Sequence, residues 1–123
     1  RVLGGVAIPE SIMELKTFFE EMEFLLMKNH IVHFFPEGEL KPYDTSLRDF
    51  KKGAFHLAAQ ARVPIVPMSI TFESPKGLIK IIRKKPVMRL HIGKPIYPID
   101  TDLEIDSKLR MKAVREQMET LHV

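Results

Sequence analysis

Residues 31–55, IVHFFPEGELKPYDTSLRDFKKGAF, decide how the chain is read. Apart from His33, the first five are apolar. A short run of this kind closed by Pro36 reads as a strand covered on both faces. Two carboxylates, Glu37 and Glu39, follow around Gly38. A polar loop then carries Lys41, Arg48, Lys51 and Lys52 up to a predicted helix start at Gly53. In open α/β sheets ligands gather beyond the carboxyl ends of strands, so a site is expected here. Gly38 lets a ligand approach the backbone closely, and Pro36 stiffens the exit from the strand. The basic residues precede a helix whose free amides and dipole favour an anion, so the pattern fits a phosphate cradle. Spacing alone also allows the plainer reading of a Pro-Glu-Gly turn beside solvated lysines.

Upstream, residues 2–8 read as a short strand ending at Pro9, and Ser11 with Glu14 has the spacing of a capping box. The helix that follows places Ile12, Leu15, Phe19, Met22 and Leu26 at three-four spacing, with Phe18 and Leu25 widening the stripe. Downstream, a second helix from near Gly53 carries AFHLAAQA and is ended by Arg62 and the Val63-Pro64 pair. Alternation of Val66, Met68, Ile70 and Phe72 predicts a strand over 64–72, in which Pro67 requires an edge or a bulge. Two β-rich runs, LIKII (78–82) and VMRLHIG (87–93), flank RKKP and suggest a hairpin. A last helix is expected from about Leu103, burying Leu109, Ala113, Val114, Met118 and Leu121. Strands alternating with helices predict an α/β fold with a mixed, mainly parallel sheet flanked by helices.

The chain's 123 residues fit a single domain over 1–123, and its 45% hydrophobic content can form a core. No apolar run approaches the roughly 20 residues of a membrane-spanning helix. The absence of cysteine excludes disulfides and thiolate zinc sites, and agrees with a reducing compartment. A net charge of +3 without a recognisable nucleic-acid motif gives no reason to expect nucleic acid as a partner. The chain opens on Arg1 inside an apparent strand, so it is expected to be a fragment whose upstream part precedes Arg1.

FFPEGEL (34–40), followed by FKKGAFHLAAQARVPIVPMSI (50–70), resembles the third and fourth sequence blocks of the glycerolipid acyltransferase family, the 1-acylglycerol-3-phosphate O-acyltransferases and their relatives. LHIGKPI (90–96) is similar to that family's later Gly-x-Pro-Ile turn. The resemblance implies transfer of a fatty acyl group from acyl-CoA or acyl carrier protein to a hydroxyl of a lysophospholipid or glycerol-phosphate acceptor. It also implies phospholipid biosynthesis at a membrane surface, on its cytoplasmic face, with no cofactor and no metal. Catalysis in the family rests on a His-x-x-x-x-Asp pair, the histidine acting as general base and the aspartate orienting it. The residues five beyond His30, His33, His56 and His91 are Phe35, Gly38, Ala61 and Ile96, and His122 is too near the end. The pair is therefore absent, and the resemblance places it upstream. The chain is then expected to be the C-terminal part of an acyltransferase domain, carrying acceptor-binding residues but inactive alone.

Within the matching blocks the chain departs from the family's Glu-Gly-Thr-Arg-Ser, with Leu40 where the arginine stands. Glu37 and Gly38 are carried over as substrate-binding candidates, while Lys41, Arg48 and Lys52 are candidates by position for the missing phosphate charge. LGGVAIPES (3–11) resembles the second block, but Pro9 and Glu10 occupy a region where that block often has a basic residue. The acceptor can accordingly differ from lysophosphatidic acid. His30 and His33 would face opposite sides of a strand, which argues against a shared metal. His56 on an Ala-rich helix reads as a packed or capping residue. Lys80, Arg83, Lys84, Lys85 and Arg89 make the expected hairpin basic, either as a solvated edge or for anionic headgroups. The alternative function is thus a non-catalytic module that binds anionic lipid or a partner protein through that hairpin.

Overall fold

The computed structural model describes residues 8–36, 49–82 and 85–121. The expected strand over 2–8 lies almost wholly outside them, as do Arg83, Lys84 and His122. The chain divides into two compact units, Arg1–Phe34 and Phe35–Val123.

In the first unit, α1 spans Ile12–Met27. Ser11 is its N-cap, with extended backbone and a hydroxyl that accepts from the Glu14 amide at 3.3 Å, as the Ser-x-x-Glu spacing predicts. The helix ends in a Schellman pattern around Asn29, whose φ of 63° is left-handed. Here the His30 amide donates to Leu25 O and the Asn29 amide to Leu26 O. Phe18 and Met22 are its buried side chains, while Ile12 at the head of the expected stripe is exposed.

The second unit opens on residues 35 and 36 and then contains α2 (Gly53–Ala61), β1 (Met68–Glu73), α3 (Ile79–Ile82), β2 (Val87–Ile92) and α4 (Leu103–Leu121). Asp102 starts α4, its Oδ1 accepting from the amides of Glu104 and Ile105 at 3.0 and 3.1 Å. The core is the junction of α2 and α4, where Phe55, Ile96, Val114 and Met118 are buried together. Phe50, Ile65, Met111 and Ala113 pack against this cluster.

The expectation of a mainly parallel sheet is corrected. Among the described residues the sheet has two strands, β1 and β2, paired antiparallel from Met68 opposite Ile92 to Glu73 opposite Val87. Residues 31–35, read as a buried strand, are in no described ladder, and Ile31 is 96% exposed. The run's composition suited a strand, but a strand exists only where a neighbour accepts its hydrogen bonds. The expected hairpin is also redrawn. LIKII contributes the short helix α3, and VMRLHI pairs with MSITFE instead. That register puts Met68, Ile70 and Phe72 on one face with Met88, Leu90 and Ile92, and the polar alternates on the other.

The predicted irregularity at Pro67 is present. Ile65 bridges Ile96 beyond the regular pairs, so three steps from Ile65 to Met68 face four from Ile96 to Ile92. The extra residue is a bulge. Pro67 lacks an N–H but offers its carbonyl, which accepts from the Gly93 amide at 2.8 Å.

Candidate functional site

Glu37, Gly38, Lys41 and Arg48 lie outside the described residues. Both ends of the stretch that carries them are described. The Lys51 amide donates to the Pro36 carbonyl at 2.6 Å, so the residue before Glu37 sits beside the residue before Lys52. Lys52 caps α2 with helical backbone and makes no side-chain capping bond. The first amides of a helix have no partner within it, so the start of α2 presents donors next to an exposed lysine. Among the candidate residues, Lys52 is therefore the one whose surroundings are defined: an exposed cation at a helix start, one residue after the Lys51 amide that bonds Pro36.

Phe50 anchors this end of the stretch. Its ring stacks on Phe55 of α2 at 5.9 Å between centroids, and the Arg115 guanidinium of α4 lies 5.4 Å from the centroid of the Phe50 ring. His56 is exposed on α2, and its amide closes the first turn onto Lys52 O at 3.0 Å.

The far end of α2 meets residues that the sequence reading missed. Arg62 takes a left-handed conformation, φ 56° and ψ 37°, with the Arg62 and Val63 amides donating to Ala59 O and Ala58 O. Its guanidinium donates to Asp100 O at 2.6 Å and lies 4.0 Å from Asp106 Oδ2. Asp106 and Arg110, one turn apart on α4, are fully buried. Arg110 donates through Nε and Nη2 to Asp106 Oδ2 at 3.0 and 2.8 Å, and through Nη1 to Val63 O at 2.6 Å. The amides of Ile99 and Asp100 donate to Asp106 Oδ1 at 2.6 and 3.1 Å. Burial pushes the Asp106 carboxyl upward, but these amides and Arg110 together outweigh it and hold the group below its ordinary value of 3.8.

A second polar grip holds the Gly-Lys-Pro-Ile turn. Gln117 accepts from Lys94 N through Oε1 at 2.9 Å and donates to Lys94 O through Nε2 at 3.2 Å. A Cβ at Gly93 would collide with Gln117 Oε1 and come within 3.3 Å of Pro67 O, so a larger residue there would push Gln117 off Lys94. Thus α4 fixes Val63-Pro64 by Arg110 and Gly93-Lys94 by Gln117. The sequence signal was the four-residue spacing of Asp106, Arg110, Val114 and Met118, which puts an ion pair in phase with the apolar stripe.

Among the described residues no helix is long and apolar enough to cross a membrane. No group of three or more His, Cys, Asp or Glu among them could hold a metal ion.

A family model described as Acyltransferase matches residues 1–71, more than half of the chain. The chain is 41% identical over 85 residues to the chloroplastic 1-acyl-sn-glycerol-3-phosphate acyltransferase BAT2 of Brassica napus, covering 67% of this chain and 24% of that protein. It is 49% identical over 49 residues to 1-acyl-sn-glycerol-3-phosphate acyltransferase alpha of Homo sapiens, covering 40% of this chain and 17% of the relative. A Limnanthes douglasii 1-acyl-sn-glycerol-3-phosphate acyltransferase is 40% identical over 91 residues, 72% of this chain and 30% of its own length. The chain thus spans under a third of the length of these relatives. No solved structure matches it significantly.

Proposed function

The chain belongs to the acyltransferase family, and from that premise we propose that it is the acceptor-binding, C-terminal part of a domain that acylates a lysoglycerophosphate at a membrane surface. The relatives are named for 1-acyl-sn-glycerol 3-phosphate, which is the acceptor class proposed here. The donor is an acyl thioester, of CoA or of acyl carrier protein. The acceptor hydroxyl attacks the thioester carbonyl, a C–O ester bond forms and the C–S bond breaks. The hydroxyl proton passes through a general base to the departing thiol. By resemblance that base belongs to a His-x-x-x-x-Asp motif, which these 123 residues lack. The proposed work of this chain is to hold the acceptor.

The observation that supports the proposal is the hydrogen bond from Lys51 N to Pro36 O, which holds the residue before Glu37 beside the residue before Lys52. An acceptor phosphate beside that helix start would meet free amides, the helix dipole and Lys52. Arg48 takes the place of the missing motif arginine, because a guanidinium grips two phosphate oxygens at once and an ammonium does not. Glu37 holds the glycerol portion or a neighbouring cation by charge-assisted hydrogen bonds, and Gly38 leaves room for it. Lys41 adds positive charge.

The test is kinetic, in the protein that includes the His-x-x-x-x-Asp motif. Arg48→Lys should raise KM for the lysophospholipid and spare KM for the acyl donor. An unchanged acceptor KM, or an equal rise for both substrates, removes Arg48 from the phosphate site.

A further inference from the structure

A series of contacts runs from α4 to the start of α2. Glu119 Oε1 lies 3.4 Å from Arg115 Nε, one turn apart on α4. The Arg115 guanidinium lies 5.4 Å from the centroid of the Phe50 ring, and that ring stacks on Phe55 with 16° between the planes. Phe50 is followed directly by Lys51, whose amide donates to Pro36 O, and then by Lys52 at the head of α2.

Phe50 thus has two duties. Its ring packs against the α2–α4 core, while its backbone leads straight into the bond between Lys51 and Pro36. Phe55 belongs to the helix that Phe50 precedes, so that contact fixes the ring only relative to α2. Arg115 belongs to a different helix, and its contact supplies a support from a second element. Half-buried, the guanidinium is partly shielded from water, which strengthens its attraction to the ring. Arginine suits the place because its planar group can lie over an aromatic face and still present Nε to a carboxylate, whereas the lysine ammonium is a compact charge without such a face.

We propose that Arg115 is a positioning residue for the acceptor site. By holding Phe50 against α4 it sets the bond between Lys51 and Pro36, and with it the two flanks of the stretch that carries Glu37, Gly38, Lys41 and Arg48. Arg115 itself touches neither substrate and acts through Phe50. Its role in acceptor binding rests on the function proposed above, but its hold on the flanks does not.

Two measurements test this. The first is amide hydrogen exchange, read by NMR on the purified chain. Arg115→Met keeps an aliphatic stem and removes the cation. It should speed exchange of the Lys51 amide about two- to fivefold, the factor that corresponds to loss of a partly exposed cation–π contact. Arg115→Lys should return part of that protection, and Lys112→Met, an equal charge change at an exposed position of α4, should leave it unaltered. In a Phe50→Leu background Arg115→Met should add nothing further. Unchanged Lys51 exchange, or the same acceleration without the Phe50 ring, overturns the proposal.

The second measurement is kinetic, in the protein that includes the His-x-x-x-x-Asp motif. Arg115→Met should raise the acceptor KM by a similar factor and spare kcat and the donor KM, a split that a loss of stability alone does not produce. Where Arg48→Lys raises the acceptor KM and Arg115→Met does not, the positioning role is overturned and the acceptor site stands. An equal rise of both KM values in Arg115→Met also counts against it. Where Arg48→Lys leaves the acceptor KM unchanged, the acceptor-site reading fails, and Lys51 exchange alone decides whether Arg115 holds the flanks.

Discussion

Replacing Arg110 by methionine separates the buried ion pair of α4 from the rest of that helix. Methionine keeps much of the length and packing of the arginine stem, so the loss is the charge and the hydrogen bonds to Asp106 and Val63 O. Removing one partner of a buried pair costs about 3 to 5 kcal/mol, because the other charge is left uncompensated. Asp106 would keep the amides of Ile99 and Asp100, which puts the expected loss near the lower end, about 3 kcal/mol. A domain of this size has only about 5 to 15 kcal/mol of net stability, so such a loss is large. The internal control is Lys108→Met. Lys108 pairs with Glu104 at 3.1 Å with the same four-residue spacing, but both side chains are exposed. That substitution should cost about 0.5 kcal/mol or less. Urea unfolding followed by circular dichroism gives both values by linear extrapolation. Joining Asp106→Asn to Arg110→Met should recover part of the loss, since the uncompensated charge is gone while the amide oxygen can still accept from Ile99 and Asp100 N. Equal losses at Arg110 and Lys108, or a loss below about 1 kcal/mol at Arg110, would refute the claim that burial makes this pair matter.

The lowered Asp106 carboxyl gives a pH dependence of definite sign. Its folded pKa is below the unfolded one, so its contribution is full above the ordinary value of 3.8 and is lost as pH falls through the folded value. The stability gap between wild type and Asp106→Asn, measured by urea unfolding, should be constant at neutral pH and shrink in acid; a gap that widens in acid contradicts this. Gly93→Ala should lower stability by about 1 to 2 kcal/mol, because the new Cβ displaces Gln117 from Lys94. Combining it with Gln117→Ala should cost less than the two singles added, and strict additivity would show that they do not share this contact. The purified chain should show no thioester-dependent acyl transfer, and any measurable transfer would defeat the upstream-base reading. In the protein that carries the His-x-x-x-x-Asp motif, Glu37→Gln should greatly reduce turnover without unfolding, and wild-type kinetics would make Glu37 a turn residue.

The three long helices were legible because their signals are local. Ser11 with Glu14, Gly53 before AFHLAAQA, and the periodicity after Leu103 each act within a turn or two. Pairing is not local. The run at 31–35 has the composition of a covered strand, but composition does not name a neighbouring strand, and among the described residues it joins no ladder. LIKII and VMRLHI are alike in β propensity, and only register against MSITFE separates the helix from the strand. On α4 the expected stripe included Leu109, which is 41% exposed, because the buried line passes through Asp106 and Arg110. A rule that puts charges outside could not select those two. For the candidate site, residue types and their order are legible along the chain, while the closure of Lys51 onto Pro36 arises only from the fold.

That closure has an evolutionary consequence. A stretch whose flanks, here Pro36 and Lys51, are bonded to each other can change in length or sequence without moving those flanks, since closing a segment of twice the length costs only about 0.6 kcal/mol more. The sequence between Pro36 and Phe50 is therefore open to exchange, with the tie between Pro36 and Lys51 and the packing of Phe50 on Phe55 as its fixed socket. Leu40, standing where the family motif has arginine, is a change of the kind such a socket permits. On the acceptor site proposed above, exchanging this segment would change acceptor preference while the α2–α4 core of this chain stays in place.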